Sequence, residues 1–214
     1  MKYIVKRTSP ASLEVYKATE GACYNDMPQN VKEDVRQSLV SEQGGICCYC
    51  GKRILPDYHS IIEHLYPKGL KQYRHLQLEY SNLLCSCDGG ESDRTGKTKS
   101  EKRKFPSFCD DKKNNRVLNL TPLDPTCEEQ FSYDEEGHIY GKTDAAQEAI
   151  DILGLDCSPL VDLRRAAINP YLELDLDNEG WNAEIEDLSQ RHNDNFRSFC
   201  FVVIYYIRNF KMAV

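Results

Sequence analysis

This sequence has no long apolar run. The longest strongly apolar stretch, FCFVVIYYI at 199–207, is nine residues long and is flanked by Arg197 and Arg208. A membrane-spanning helix needs about 20 apolar residues, so no transmembrane segment is expected. No secretory leader is expected either, because the apolar opening of MKYIVKRTSP breaks off after Val5. Positive charge is not in excess: 27 Lys and Arg stand against 34 Asp and Glu, a net charge of −7. That balance excludes a general coat of nucleic-acid affinity, though not a local basic patch. There is no internal repeat and no low-complexity tail. These absences predict a soluble, cytoplasmic protein. Its 214 residues suit one large domain or two small ones.

Cysteine, by contrast, is plentiful at ten residues. Without a leader, clustered cysteines point to metal rather than to disulfides. Cys47, Cys48, Cys50, Cys85, Cys87 and Cys109 fall in one central segment, while Cys23, Cys127, Cys157 and Cys200 are scattered and read as small buried residues. Cys47-x-x-Cys50 has the spacing of a knuckle that grips one side of a tetrahedral zinc. A second Cys-x-x-Cys is missing. The second pair is expected to be Cys87 with Cys109, with Cys85 as a buried strand residue; the rival pair is Cys85 with Cys87, whose tight spacing suits one zinc less well. A redox role for Cys47 and Cys50 would need a thioredoxin-like βαβ context, and none is visible.

Around the cysteines, MPQNVKEDVRQSLVSEQGG at 27–45 predicts a helix: Pro28 suits its first turn, Val31, Val35 and Leu39 repeat every four residues, and Gly44–Gly45 ends it. SIIEH and SNLLC are short β-like runs. The polar stretch 88–105 between Cys87 and Cys109 reads as a loop. FSYDEEGHIYG predicts a hairpin turning at Asp134–Gly137. From 143 onward helices are expected: one capped by Thr143 and stopped by Gly154, one opened by Ser158–Pro159, and one or two more over 179–210. The division expected is 1–45 as an N-terminal segment and helix, 46–120 as the chemical core, and 121–214 as hairpin and helices.

Within that central segment lie Glu63, His64 and Asn82. Four stretches in order, CCYCGK, IEHLYPK, YSNLLCSC and CDDKK, resemble the motifs of HNH (ββα-metal) endonucleases. They look most like the PtuB-type HNH proteins of anti-phage Septu systems, which also occur as effectors in some retrons. The motifs cover 47–113; AIDILGLD and LVDLRRAAI in the tail resemble the same subfamily less specifically.

The resemblance implies an α+β fold, a zinc-stabilised ββα-metal core with a mainly helical C-terminal region. It implies a metal-dependent endonuclease hydrolysing phosphodiester bonds, with DNA favoured and tRNA or other RNA as the alternative. His64 matches the general base. Glu63 stands where the family has Asp or another metal-binding side chain. Asn82 matches the residue that orients the histidine loop. Asp110 falls where His or Asn is usual, and Lys113 fits a lysine three residues on. Glu63 and Asp110 are the expected holders of magnesium or another divalent ion, which prefers oxygen ligands, and Cys47, Cys50, Cys87 and Cys109 those of zinc. The implied partners are nucleic acid, the ABC-like ATPase PtuA and, for retron-borne members, the reverse transcriptase with its RNA–DNA hybrid. A non-catalytic zinc-held adaptor for the ATPase is the rival of a different class. For nucleic-acid contact the expected residues are Lys68 and Lys113 near the site and Lys97, Lys99 and Arg103 in the basic part of the 88–105 stretch. Lys71 and Arg74 add charge after His64. Tyr49 and Tyr80 read as packing residues, and His59, His75, His138 and His192 receive no role. The all-round apolar terminal helix reads either as core or as a docking surface for the partner.

Overall fold

A computed structural model describes residues 1–102 and 104–212. The fold is α+β. In chain order it runs α1 (Ala11–Lys17), α2 (Gln29–Glu42), β1 (Ser60–His64), β2 (Leu83–Cys87), α3 (Glu91–Arg94), α4 (Lys99–Lys102), α5 (Cys109–Lys113), β3 (Phe131–Tyr133), β4 (Ile139–Gly141), α6 (Asp144–Leu153), α7 (Ser158–Leu172), α8 (Asn178–Ser189) and α9 (Cys200–Tyr206). No described helix is long and apolar enough to cross a membrane.

The element that organises the centre is the antiparallel pair β1–β2, in register Ser60↔Cys87, Ile62↔Cys85 and His64↔Leu83. Every residue of β2 is buried, because α2 and α5 both pack on the pair. The α2 helix presents Val31, Val35 and Leu39 to the core, as their four-residue spacing demands; Pro28 is its N-cap, one place before the helix proper. The second hairpin, β3–β4, pairs Phe131 with Gly141 and Tyr133 with Ile139. Thr143 caps α6 by accepting from the Ala146 N–H, and Gly154 closes it in the left-handed conformation at φ 62. The α7 helix is capped one residue earlier than expected, by Cys157 rather than Ser158.

One expectation is corrected. The 88–105 stretch is not wholly loop, since it forms the single turns α3 and α4. Asp88 accepts from the N–H groups of Gly90 and Ser92. Thr98 and Glu101 form a reciprocal cap, Glu101 accepting from the Thr98 N–H and Thr98 Oγ1 from the Glu101 N–H. The terminal stretch forms two helices, and its apolar run lies in the core. Residues 190–199 break the run between α8 and α9, with Asn193, Asp194 and Phe199 at positive φ. The α9 helix is then buried nearly all round within the chain's own core. It is laced to the Cys47–Cys50 region by Phe196 N–H to Gly44 O, Phe199 N–H to Gly51 O and Arg53 to Phe196 O. One hydrophobic core runs from Met1 to Ile207 across all three expected stretches.

Candidate active site

The first half of the site is a thiol cluster. Cys47 and Cys50 lie on a tight turn closed by Cys47 N–H to Lys52 O and Gly51 N–H to Cys47 O. Gly51 has φ 81, and a Cβ there would meet the Phe201 ring at 2.5 Å, so this turn needs glycine. Cys87 ends β2 and Cys109 opens α5. The Sγ atoms of Cys47, Cys50, Cys87 and Cys109 all lie within 4.8 Å of one another, and all four residues are buried. Cys47 Sγ is 3.9 Å from Cys109 Sγ, and Cys50 Sγ is 3.9 Å from Cys87 Sγ. Zinc–sulfur bonds of about 2.3 Å in a tetrahedron place sulfurs roughly 3.8 Å apart, so these residues fit a zinc ion. Burial alone would raise the Cys47 thiol, but hydrogen bonds from Cys109, Cys48, Cys50 and Cys87 outweigh it and hold it well below the usual range. Cys109, chiefly by burial, and Cys87, whose bond from Cys109 is outweighed by those to Cys47 and Cys50, are pushed well up, so Cys47 is the thiolate that its neighbours support. Cys85 lies outside the cluster, pushed up to about 12 by burial, and Cys48 is likewise pushed well up, mainly by burial.

One residue beyond Cys109, which sits at φ 50, α5 contributes Asp110 to a second centre. Asp110 lines a cleft of about 850 Å³ together with Glu63, His64, Tyr24, Lys68, Arg74, Gln77 and other residues. Glu63 and His64 come from the end of β1, so the structure brings three expected residues into one cleft. Burial, then hydrogen bonding to Glu63 and its charge, pushes the Asp110 carboxyl up to about 8. Two carboxyl groups held together in this way resist full ionisation unless a cation joins them. Their oxygens suit a hard divalent ion such as magnesium.

Lys113, expected at nucleic acid, is not on the surface. It is buried, with Nζ 2.6 Å from Glu63 Oε1 and donating to His64 O at 2.9 Å. It compensates the Glu63 carboxylate from inside, where a phosphate does not reach.

His64 is nearly buried. Its Nε2 lies 3.0 Å from the Gln77 carbonyl oxygen. A carbonyl only accepts, so Nε2 carries the proton and Nδ1 is the lone-pair nitrogen. Burial lowers the imidazole to about 4, and Lys68 and Lys113 push the same way against the Gln77 bond. The ring is therefore neutral near pH 7. The Asn82 side chain bonds elsewhere. Asn82 Oδ1 accepts from the Tyr66 N–H at 2.8 Å, and Nδ2 donates to Tyr66 O and Leu76 O at 3.1 Å each. It thereby staples both ends of the loop that carries the Gln77 carbonyl.

Sequence reasoning missed three contributors. Tyr24, from the N-terminal segment, packs edge-on against His64 with ring centroids 4.5 Å apart, and its N–H is held by the Gln77 side chain. Gln77 acts through its backbone oxygen, which leaves no side-chain signal. Tyr49, read as packing, donates to Glu63 Oε1 at 3.0 Å. Among the basic residues, Lys68 lines the cleft with Nζ 4.9 Å from the Tyr24 ring, whereas Lys97 and Lys99 do not line it. Arg103 lies outside the described residues.

A neutral imidazole whose Nε2 proton is held on a carbonyl can accept a proton at Nδ1, and the carboxyl pair beside it can hold a cation. No protein-family model matches the chain. It is similar to a protein of Vibrio cholerae serotype O1 biovar El Tor named "Retron Vc95 putative HNH endonuclease", at 33% identity over 145 residues. The match covers 64% of this chain and 64% of that protein's length. The chain thus spans less than two thirds of that protein's length.

Proposed function

We propose that the chain is a metal-dependent HNH endonuclease of the PtuB type, with β1, β2 and α5 as its ββα-metal core. Its substrate is nucleic acid, with DNA favoured, and it acts as an effector of anti-phage defence with an ATPase partner. The observation that carries this reading is His64: neutral, with Nε2–H fixed on the Gln77 carbonyl and the ring lining the cleft that Glu63 and Asp110 share.

In the reaction, His64 Nδ1 takes a proton from the attacking water. Asn82 and the Gln77 carbonyl hold the imidazole in the one tautomer that can do so. Lys68 and Arg74 at the cleft bind flanking phosphates. A divalent ion held by Glu63 and Asp110 would stabilise charge on the scissile phosphate and the leaving oxygen. Cys47, Cys50, Cys87 and Cys109 would hold a structural zinc. The retron in the relative's name supports a setting with a reverse transcriptase and its RNA–DNA hybrid.

The test is cleavage of DNA and of total tRNA by the full chain, with and without the product of the neighbouring gene, in magnesium or EDTA. His64→Ala at matched zinc content is expected to lose about 10²- to 10⁴-fold in rate while keeping its fold. Cleavage confined to tRNA would move the substrate to RNA. Wild-type activity in His64→Ala would sink the reading.

A further inference from the structure

The two centres are not independent. Tyr49 sits between Cys48 and Cys50 on the thiol-bearing turn, and it is fully buried. Its hydroxyl reaches 3.0 Å to Glu63 Oε1, the oxygen that also receives Lys113 Nζ at 2.6 Å. Lys113 lies on the short helix that Cys109 opens, with Asp110 between them. On the other side, β1 is registered to the thiol-bearing strand by Ser60 opposite Cys87. The turn that carries Tyr49, the helix α5 and the strand β1 are thus each joined to a cluster thiol, the first two directly and β1 through its pairing with Cys87.

We propose that Tyr49 is a positioning residue that ties the Glu63 carboxylate to the four-thiol turn, so that the catalytic divalent ion binds well only when that turn is intact. The inference rests on the nuclease reading of the cleft. The physical case is that a carboxylate has two oxygens and a choice of rotamers. Tyr49 and Lys113 occupy Oε1 from two directions, which locks the group and leaves Oε2 as the oxygen available to a cation. A phenol suits this position. Its hydroxyl donates where a carboxylate oxygen accepts, and its ring is fixed by burial. Outer partners that orient a ligating carboxylate typically matter by 10- to 100-fold in metal affinity.

The experiment is manganese binding, read by electron paramagnetic resonance of the free ion, on full-length zinc-replete protein at pH 7.5. Tyr49→Phe keeps the ring and removes only the donor. It is expected to bind manganese about 10- to 100-fold more weakly while retaining the wild-type zinc content. Tyr133→Phe, which removes another buried phenol at a distance from the cleft, serves as the control and should match wild type. Wild-type manganese affinity in Tyr49→Phe would overturn the proposal. Loss of zinc from Tyr49→Phe would also overturn it, because the hydroxyl would then serve the thiol cluster rather than the carboxylate. Failure of the wild-type chain itself to bind manganese would remove the cation centre, and with it both the nuclease reading and this inference.

Discussion

Replacing Lys113 by methionine tests the electrostatics of the cleft most directly. The change keeps the length and bulk of the side chain and deletes one ammonium. That ammonium is 1% exposed and lies 2.6 Å from a Glu63 oxygen that is itself buried. Removing one partner of a buried pair costs about 3–5 kcal/mol. A second route to the figure gives the same size. The stranded glutamate escapes by taking a proton, and for an ordinary glutamate near pKa 4.3 that costs about 4 kcal/mol at pH 7.5 but only about 1.6 kcal/mol at pH 5.5. Asp110 offers no relief, since it already holds its proton below about 8. In a chain of 214 residues, each kcal/mol shifts Tm by about 2–4 °C. Lys113→Met should therefore melt about 10 °C lower than wild type at pH 7.5 and about 4 °C lower at pH 5.5. Calorimetry at the two pH values, with zinc content matched, measures both. A deficit of the same size at both pH values would refute the argument, because a packing defect does not titrate.

Two more outcomes test the centres separately. Cys87→Ser and Cys109→Ser should each lose stoichiometric zinc, whereas Cys85→Ser should retain about one per chain; colorimetric zinc release after denaturation decides between this tetrad and the Cys85–Cys87 pairing. For Asp110, the folded carboxyl is raised to about 8 from an ordinary value of 3.8. Between those values the cation-free folded chain holds a proton that the unfolded chain has released, so its stability falls as pH rises from about 4 to about 8. A divalent ion must displace that proton. At pH 6.5 the competition should weaken manganese binding by about 30-fold relative to pH well above 8, and titrations that show no such dependence would remove the shared proton.

The parts of this molecule that were legible in the sequence are those where one residue type has one job. Val31, Val35 and Leu39 mark a helix face because nothing but burial explains that spacing. Cys87 with Cys109 was preferred to Cys85 with Cys87 because the latter spacing is tight for one zinc, and the four thiols Cys47, Cys50, Cys87 and Cys109 do lie together. The Glu63–His64 pair was legible through its motif context. What stayed hidden acts through the backbone or through three-dimensional coincidence. The Gln77 carbonyl fixes the His64 tautomer with an atom every residue possesses. Tyr49 looks like any buried aromatic until its hydroxyl is found on Glu63. Lys113 looks like a surface lysine, and its charge is drawn inward only because Glu63 and Asp110 meet there. The caps in the 88–105 stretch, Asp88 and Thr98 with Glu101, were readable but masked by the stretch's polarity.

The burial of α9 relocates the partner question. An all-round apolar helix was open to two readings, core or dock, and Phe201, Val202, Val203 and Tyr206 are spent on the core. Deleting 196–214 would therefore strip the lacing from the thiol turn, and a lost partner would report misfolding. Apolar side chains exposed on the helical half include Leu172, Leu174 and Leu176 at the end of α7 and after it, with Phe210 nearby, each more than a third exposed. Lys211 ties its neighbour Phe210 to the same segment by donating to Leu172 O and Leu174 O. Glu173, Asp175 and Asp177 alternate with the leucines. This exposed strip combines apolar area with an acidic rim, outside the buried core that packs α9 against the thiol-bearing turn.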